Sequence, residues 1–250
     1  MSSIRLDRYL ADVHVGSRKE IREYIRDGRV RVGDEVVTRT ETHVDTEEDR
    51  ITLDGQLLAY SKYRYYMLHK PAGVVTATRD GLSRTVVELL KNVPVRGLSP
   101  VGRLDKDTEG LLLLTDDGAL LHRLISPGYH VEKVYEAHLD EPVTDGMLQC
   151  LSEGVDIGDD TKTLPATAVR LAQDEEGRDV VELTIREGRF HQVKRMFHAL
   201  GREVVFLKRV AFAGLVLDPN LKTGAYRTLS SAEITALKEV PDKSGETQKG

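Results

Sequence analysis

Residues 102–121 read GRLDKDTEGLLLLTDDGALL, and the pattern changes twice within that stretch. Arg103, Asp105, Lys106 and Asp107 crowd their charges between Gly102 and Gly110, and Leu111 to Leu114 follow as an unbroken apolar run. Such a run, bounded by turn residues, predicts a short strand buried on both faces. Thr115-Asp116-Asp117-Gly118 then turns the chain into a helix with Leu120, Leu121, Leu124 and Ile125 on one side. The charged loop is therefore pinned against a hydrophobic strand. Taken alone, two aspartates in such a loop are most simply a solvated turn or a helix cap. A hard-cation site at Asp105 and Asp107 lacks the further oxygen ligands it needs, so no metal is expected.

Two other stretches carry comparable patterns. YYMLHKPAGVVTA, residues 65–77, reads as strand, turn, strand, with Pro71 and Gly73 bending the chain after Lys70. VVELTIREGRFHQVKRMFHALG, residues 180–201, alternates as a strand through Val181, Leu183 and Ile185 and turns at Glu187-Gly188-Arg189. A helix follows, with Val193, Met196, Phe197 and Leu200 on one face and Gly201 at its end. His191, Lys194, Arg195 and His198 fall on the opposite face, which suits either plain solvation or a phosphate or carboxylate partner. His191 and His198 have no third ligand in an obvious zinc motif. From 63 to 237 strands and helices mix without the strict alternation of a parallel sheet, which places the chain in the α+β class.

The first sixty residues read as a separate small unit. Leu6, Tyr9, Leu10 and Val13 follow helical spacing, and Ser17 with Glu20 forms a capping box for a second helix that Gly28 is placed to end. RVRVGDEVV then alternates around a Gly33-Asp34 hairpin turn. On the second helix Ile21, Tyr24 and Ile25 share a face, Arg18, Lys19, Arg22 and Arg26 gather on one flank, and Glu20, Glu23 and Asp27 take the other. A solvated helix explains this equally well on pattern alone. Arg29 and Arg31 extend the basic surface onto the hairpin and favour a phosphate backbone as the partner.

The bulk numbers set limits. The 250 residues suffice for a large domain with a small companion, and 40% hydrophobic with 31% charged residues reads as a soluble globular chain. No apolar run approaches membrane-spanning length, and MSSIRLDRYL has no signal-peptide core. One cysteine, Cys150, excludes an internal disulfide framework and points to the cytoplasm. A net charge of −5 argues against a nucleic-acid partner, yet Arg186, Arg189, Lys194, Arg195, Arg202, Lys208 and Arg209 concentrate positive charge in one segment. Local basic surfaces inside an acidic average still attract a polyanion.

Residues 4 to about 58, LDRYLADVHVGSRKEIREYIRDGRVRVGDEVV above all, resemble the S4 (αL-type) RNA-binding domain, although Val32 stands where that family usually has Asn before the hairpin glycine. YYMLHKPAGVV, GRLDKDTEGLLLLTDDGALLHRL, SPGYHVEKVYEAHL and EGRFHQVKRMFHALGREVVFLKR, in that order between Tyr65 and Leu229, resemble the pseudouridine synthases, specifically the branch acting on small-subunit rRNA (the RsuA type). Four separated motifs behind the accessory domain make the resemblance specific. It implies an S4 domain at 1–60, a linker at 61–62, and a synthase domain at 63–237 built on a mixed, mainly antiparallel sheet flanked by helices. Residues 238–250 are expected to form a disordered tail.

The same resemblance assigns roles. Asp105 is the expected catalytic carboxylate, needing no cofactor, because uracil is detached, turned and rejoined through C5 without redox chemistry or a group donor. Lys194 is its expected cationic partner, with Arg195 as the fallback, and Tyr135 of EKVY is expected to stack on the base. Arg103 is expected to hold the RNA open. Lys70, His191 and Gln192 are expected to support the loop or touch RNA, and Asp107 only to shape the loop. Arg5, Arg18, Lys19, Arg22 and Arg26 are the expected RNA contacts of the S4 unit. The implied partner is 16S rRNA or a small-subunit assembly intermediate, with uridine 516 as the target, no membrane, and a monomer as the default state. A 23S rRNA target and a non-catalytic assembly factor are the alternatives. An S4-linked methyltransferase would need a glycine-rich cofactor loop, and no G-x-G-x-x-G occurs.

Overall fold

A computed structural model of the protein describes residues 3–13, 15–58, 60–91 and 93–240. The chain divides into two units, Met1–Arg64 and Tyr65–Gly250.

In the first unit β1 (Ser3–Arg5) leads into α1 (Leu6–Asp12), and α2 (Arg18–Arg26) follows. The Ser17 hydroxyl accepts from the Glu20 amide while the Glu20 carboxylate accepts from the Ser17 amide, so the capping box closes in both directions. Gly28 takes φ +70° just after the helix, a conformation that costs glycine little. Four short strands, β2 (Val30–Val32), β3 (Glu35–Val36), β5 (Ile51–Leu53) and β6 (Gln56–Leu58), pair antiparallel in the order β3-β2-β5-β6, while β4 (His43–Asp45) pairs with β1. Leu6, Tyr9, Leu10, Ile21 and Ile25 meet in one core between the helices and strands.

The second unit is built on one nine-stranded sheet. Its strands are β7 (Tyr65–Lys70), β8 (Ser99–Pro100), β9 (Glu109–Thr115), β10 (Lys133–Leu139), β11 (Thr167–Arg170), β12 (Val180–Ile185), β13 (Val204–Phe212), β14 (Leu215–Val216) and β15 (Tyr226–Thr228). The path runs β11-β12-β10-β13-β9-β7-β15, with β14 on β13 and β8 on β9. Every pairing is antiparallel except β9 with β13. The sheet is thus mixed and mainly antiparallel, as expected for the α+β class. Helices α3 (Gly118–Ile125), α4 (Asp145–Glu153), α5 (Gln192–Ala199) and α6 (Ser231–Lys238) connect and flank the strands. The Leu111–Leu114 run is buried throughout, because β9 lies between β7 and β13 in the interior of the sheet.

Three local expectations change. No second strand follows the Lys70-Pro71 turn; Val75 makes only an isolated bridge to Thr85. Gly73 (φ +83°) instead donates its amide to the Lys106 carbonyl at 2.7 Å, which draws the chain beneath the 102–110 loop. On α3 only Leu120 and Leu124 are buried, while Ile125 stays exposed. At the C-terminal end α6 continues through Lys238 with Leu237 buried, so the expected disordered tail does not begin at 238. Residues 241–250, where most of that tail was placed, lie outside the described residues.

Candidate active site

The loop 102–110 is held by backbone capture. Lys70, fully buried at the end of β7, donates its ammonium to the carbonyls of Pro71 (3.0 Å), Asp105 (3.0 Å), Lys106 (3.2 Å) and Thr108 (2.8 Å). Burial pushes this lysine down to about 8. Thr76 adds a reciprocal pair, its hydroxyl donating to the Leu104 carbonyl at 2.7 Å and accepting from the Leu104 amide at 3.2 Å. The Thr108 amide donates to the Asp105 carbonyl at 3.1 Å. Asp105 therefore sits on a loop whose carbonyls are committed on its inner side.

Its side chain borders a cavity of about 620 Å³ that Arg103, Tyr135 and His191 also line. Tyr135 reaches the cavity from the middle of β10, where it is buried and lies opposite both Leu183 of β12 and Arg209 of β13. His191 caps α5 in the left-handed conformation (φ 49°), and its Nε2 lies 3.5 Å from Asp105 Oδ1, an ion pair when the imidazole is protonated. Arg103 is exposed beside the cavity, and no carboxylate pairs with it among the described residues.

Lys194 is placed differently from the expectation. Its ammonium sits on Asp107, 2.6 and 2.7 Å from the two carboxylate oxygens, and not on Asp105. The hydrogen bond from Lys194 holds the Asp107 carboxyl below its usual range. The reason is electrostatic and steric. Asp107 is much more exposed than Asp105, so this pairing desolvates less, and the flexible lysine stem reaches it across the loop. Asp107 is thus a paired loop residue.

The fallback cation is also committed elsewhere. Arg195 donates to the Ile157 carbonyl at 2.6 Å and pairs with Asp159 at 2.5 Å, tying α5 to the 155–160 loop. Gln192 is buried; its side chain accepts from the Arg189 amide at 2.9 Å and donates to Glu187 at 2.8 Å, so it braces the turn before α5. In the first unit Arg18, Lys19, Arg22 and Arg26 are all exposed. Arg26 pairs with Asp27, and Arg5 grips Asp7 with two hydrogen bonds at 2.8 and 3.0 Å. Arg29, expected to extend the basic surface onto the hairpin, pairs with Asp54 and stacks 4.4 Å over Tyr24.

Sequence reasoning passed over Phe190, Lys133 and Arg209. Phe190 is 75% exposed at the cavity, with its ring stacked on His191 at 3.8 Å between centroids and 16° between planes. An aromatic residue inside the otherwise polar EGRFHQ turn was the available signal. Arg209 lies on the buried side of β13, where Leu207 and Arg209 are the buried positions of the alternation. A basic residue on the inward face of a strand marks it out in retrospect. No group of three or more His, Cys, Asp or Glu side chains among the described residues is arranged to hold a metal ion.

Comparison with known proteins adds to this geometry. The model of the RNA pseudouridylate synthase family matches residues 64–199, and that of the S4 domain matches residues 4–51. An RNA pseudouridine synthase of Bacillus subtilis, YtzG, is 43% identical, over 94% of this chain and 99% of its own. Ribosomal small subunit pseudouridine synthase A of Vibrio cholerae is 38% identical, over 94% of this chain and 99% of its own. Ribosomal large subunit pseudouridine synthase B of Bacillus subtilis is 39% identical, over 95% and 97%. A crystal structure of a pseudouridylate synthase superposes with a TM-score of 0.64 at 37% identity, covering 94% of this chain and 99% of that one.

Proposed function

This chain belongs to the RNA pseudouridylate synthase family and carries an S4 domain, and from that premise we propose that it isomerises one uridine of small-subunit rRNA, uridine 516, with Asp105 as the catalytic carboxylate. The activity is that of an rRNA pseudouridine synthase, an isomerase. The observation that carries the residue assignment is the placement of the Asp105 carboxylate. It borders the cavity of about 620 Å³ shared with Tyr135, on a loop whose carbonyls Lys70 holds from behind.

The reaction breaks the bond between ribose C1′ and uracil N1 and makes a bond between C1′ and C5. An ionised carboxylate starts it, by attack on C1′ or by removing the C2′ proton. The target base must leave its stack to reach Asp105, and the exposed guanidinium of Arg103 is positioned to occupy the space it leaves or to hold the strand. The Tyr135 ring offers a face to the extracted base. His191, with Nε2 3.5 Å from Asp105, pairs with the carboxylate when its imidazole is protonated. Lys194 joins the reacting carboxylate only by exchanging Asp107 for Asp105 when RNA is bound.

The S4 unit offers Arg18, Lys19 and Arg22 as phosphate contacts separate from the cavity. Engaging one RNA at two surfaces raises the effective concentration of the second contact, which favours one site among many uridines. The small-subunit target rests on similarity to the synthases whose names carry it, together with the closing segment LDPNLKTGAYRTL at 217–229. Similarity of the same size to a large-subunit enzyme supports 23S rRNA as the second reading.

The test is to map pseudouridine in both rRNAs from cells with and without the gene, and with Asp105→Asn in its place. Loss of one small-subunit signal, unrestored by Asp105→Asn although that variant still binds RNA, is the expected result. Loss confined to large-subunit rRNA moves the target, and loss of nothing removes the proposal.

A further inference from the structure

The cavity floor holds two cations that the reaction as described leaves unused. Arg209, in β13, is 1% exposed. Its Nε donates to the Leu111 carbonyl at 2.8 Å, its guanidinium carbon lies 4.8 Å from the centre of the Phe212 ring, and its Nη2 is buried without a hydrogen-bond partner. Lys133, the first residue of β10, donates to the Val131 carbonyl at 2.6 Å. Burial, reinforced by neighbouring Arg209, pushes its ammonium down to about 8. Glu187 bears on Lys133 from the turn before α5, but among the described residues no ion pair joins either cation to a carboxylate.

The register puts these groups together. Tyr135 lies opposite Arg209 across the β10–β13 pair, so their side chains share a face. Lys133 precedes Tyr135 by two residues and so points the same way. All three line the cavity that Asp105 borders. Two adjacent cations, one fully buried and short of an acceptor, oppose folding unless something compensates. A buried donor short of a partner, on a residue that lines the cavity, marks a place where a ligand can bring an acceptor.

We infer that Arg209 and Lys133 bind the carbonyl oxygens of the uracil ring and stabilise the negative charge it carries while detached from ribose. The inference rests on the isomerase reading above. When C1′–N1 breaks, the bonding pair stays on the ring and spreads over N1, O2 and O4, while Asp105 has either bonded to C1′ or taken the C2′ proton. After the ring turns, C5 delivers the pair into the new C1′–C5 bond. C5 then loses its proton, N1 gains one, and Asp105 is restored, so no oxidant, reductant or second substrate enters. Fixed donors aimed at charge that develops only during reaction favour the transition state over bound substrate. Depth favours the base over a phosphate as the anion: the strand crosses the mouth, where Arg103 is exposed, and only an extruded base reaches a residue as buried as Arg209.

The experiment compares wild type, Arg209→Met and Lys133→Met on an RNA fragment carrying either uridine or 5-fluorouridine at the mapped target. Fluorine at C5 stabilises the detached ring anion and lessens its need for the two cations. Single-turnover loss of the target nucleoside is read by digestion and mass spectrometry, and affinity by filter binding. Each variant is expected to lose about 10²-fold in rate on uridine with little change in Kd, and about tenfold less than that on the fluorinated RNA. An equal loss on both RNAs overturns the inference. So does weakened binding at an unchanged rate, which assigns the cations to a phosphate. Lys133→Met keeps the test open if Arg209→Met fails to fold through loss of its bond to Leu111. An active wild type with either of those outcomes refutes only this inference, whereas a wild type that converts no uridine in either rRNA refutes the isomerase reading itself.

Discussion

Gly110 and Arg209 face each other in the parallel β9–β13 pair, and a Cβ on Gly110 would stand 2.7 Å from the Arg209 amide nitrogen and closer still to its carbonyl oxygen. Gly110 also has φ +106°, a region other residues enter only at a cost. The final glycine of GRLDKDTEG therefore lets the Asp105 loop run straight into the strand beside β13. Gly110→Ala is expected to destabilise the second unit by about 2 kcal/mol or more. Urea denaturation checks this, and an unchanged midpoint would show that the strands separate at little cost.

Lys70 connects the first motif of the second unit to the loop of the second motif. Lys70→Met removes the donor of four carbonyl bonds and leaves those carbonyls inside the protein. A loss of about 2–4 kcal/mol in stability is expected. Activity should fall further than stability explains, because Asp105 is no longer held. Single-turnover rates at a temperature where both proteins are fully folded separate the two effects.

Phe190 is large, apolar and exposed, and its stack on His191 leaves the other ring face available. A base flanking the target would stack there, and such contacts contribute about 1–3 kcal/mol each. Phe190→Ala is expected to weaken RNA binding about tenfold while thermal stability stays within about 1 °C of wild type. Phe190→Tyr should restore affinity. Unchanged affinity in Phe190→Ala would exclude the stack.

Glu233 gives a test of stability against pH. Its carboxylate accepts two hydrogen bonds from Arg227, at 2.8 and 2.9 Å, and one from the Ser230 amide at 2.7 Å. The Arg227 contact, first among these causes, pulls Glu233 down to about 2. The folded value lies below the unfolded one, so the folded protein binds fewer protons and the stabilisation is full above about pH 4.5. It disappears as pH falls towards 2. Glu233→Gln should therefore cost about 1–2 kcal/mol at pH 7, discounted for partial exposure, and progressively less below pH 4. Thermal melts of both proteins across pH 3–7 read the convergence.

The four motifs, the capping box at Ser17 and the buried Leu111–Leu114 strand were legible along the chain, because each depends on residues close in sequence. Helical spacing, alternation and glycine position are local properties, and they were enough to indicate an α+β chain behind a small separate unit, whereas the S4 reading and the choice of Asp105 came from the resemblance of the quoted motifs to those families. The partner of each charge was not legible. Lys194 and Arg195 are neighbours on α5, yet one reaches Asp107 and the other Asp159, and that choice depends on how two loops approach the helix. The missing second strand after Lys70 has the same origin, since the Gly73 amide is taken by Lys106, a residue far along the chain. Arg209 reads in sequence as one more cation in a basic segment. Only the register of β13 against β9 and β10 turns its side chain inward beside Tyr135, because strand pairing at long separation decides which face a residue presents.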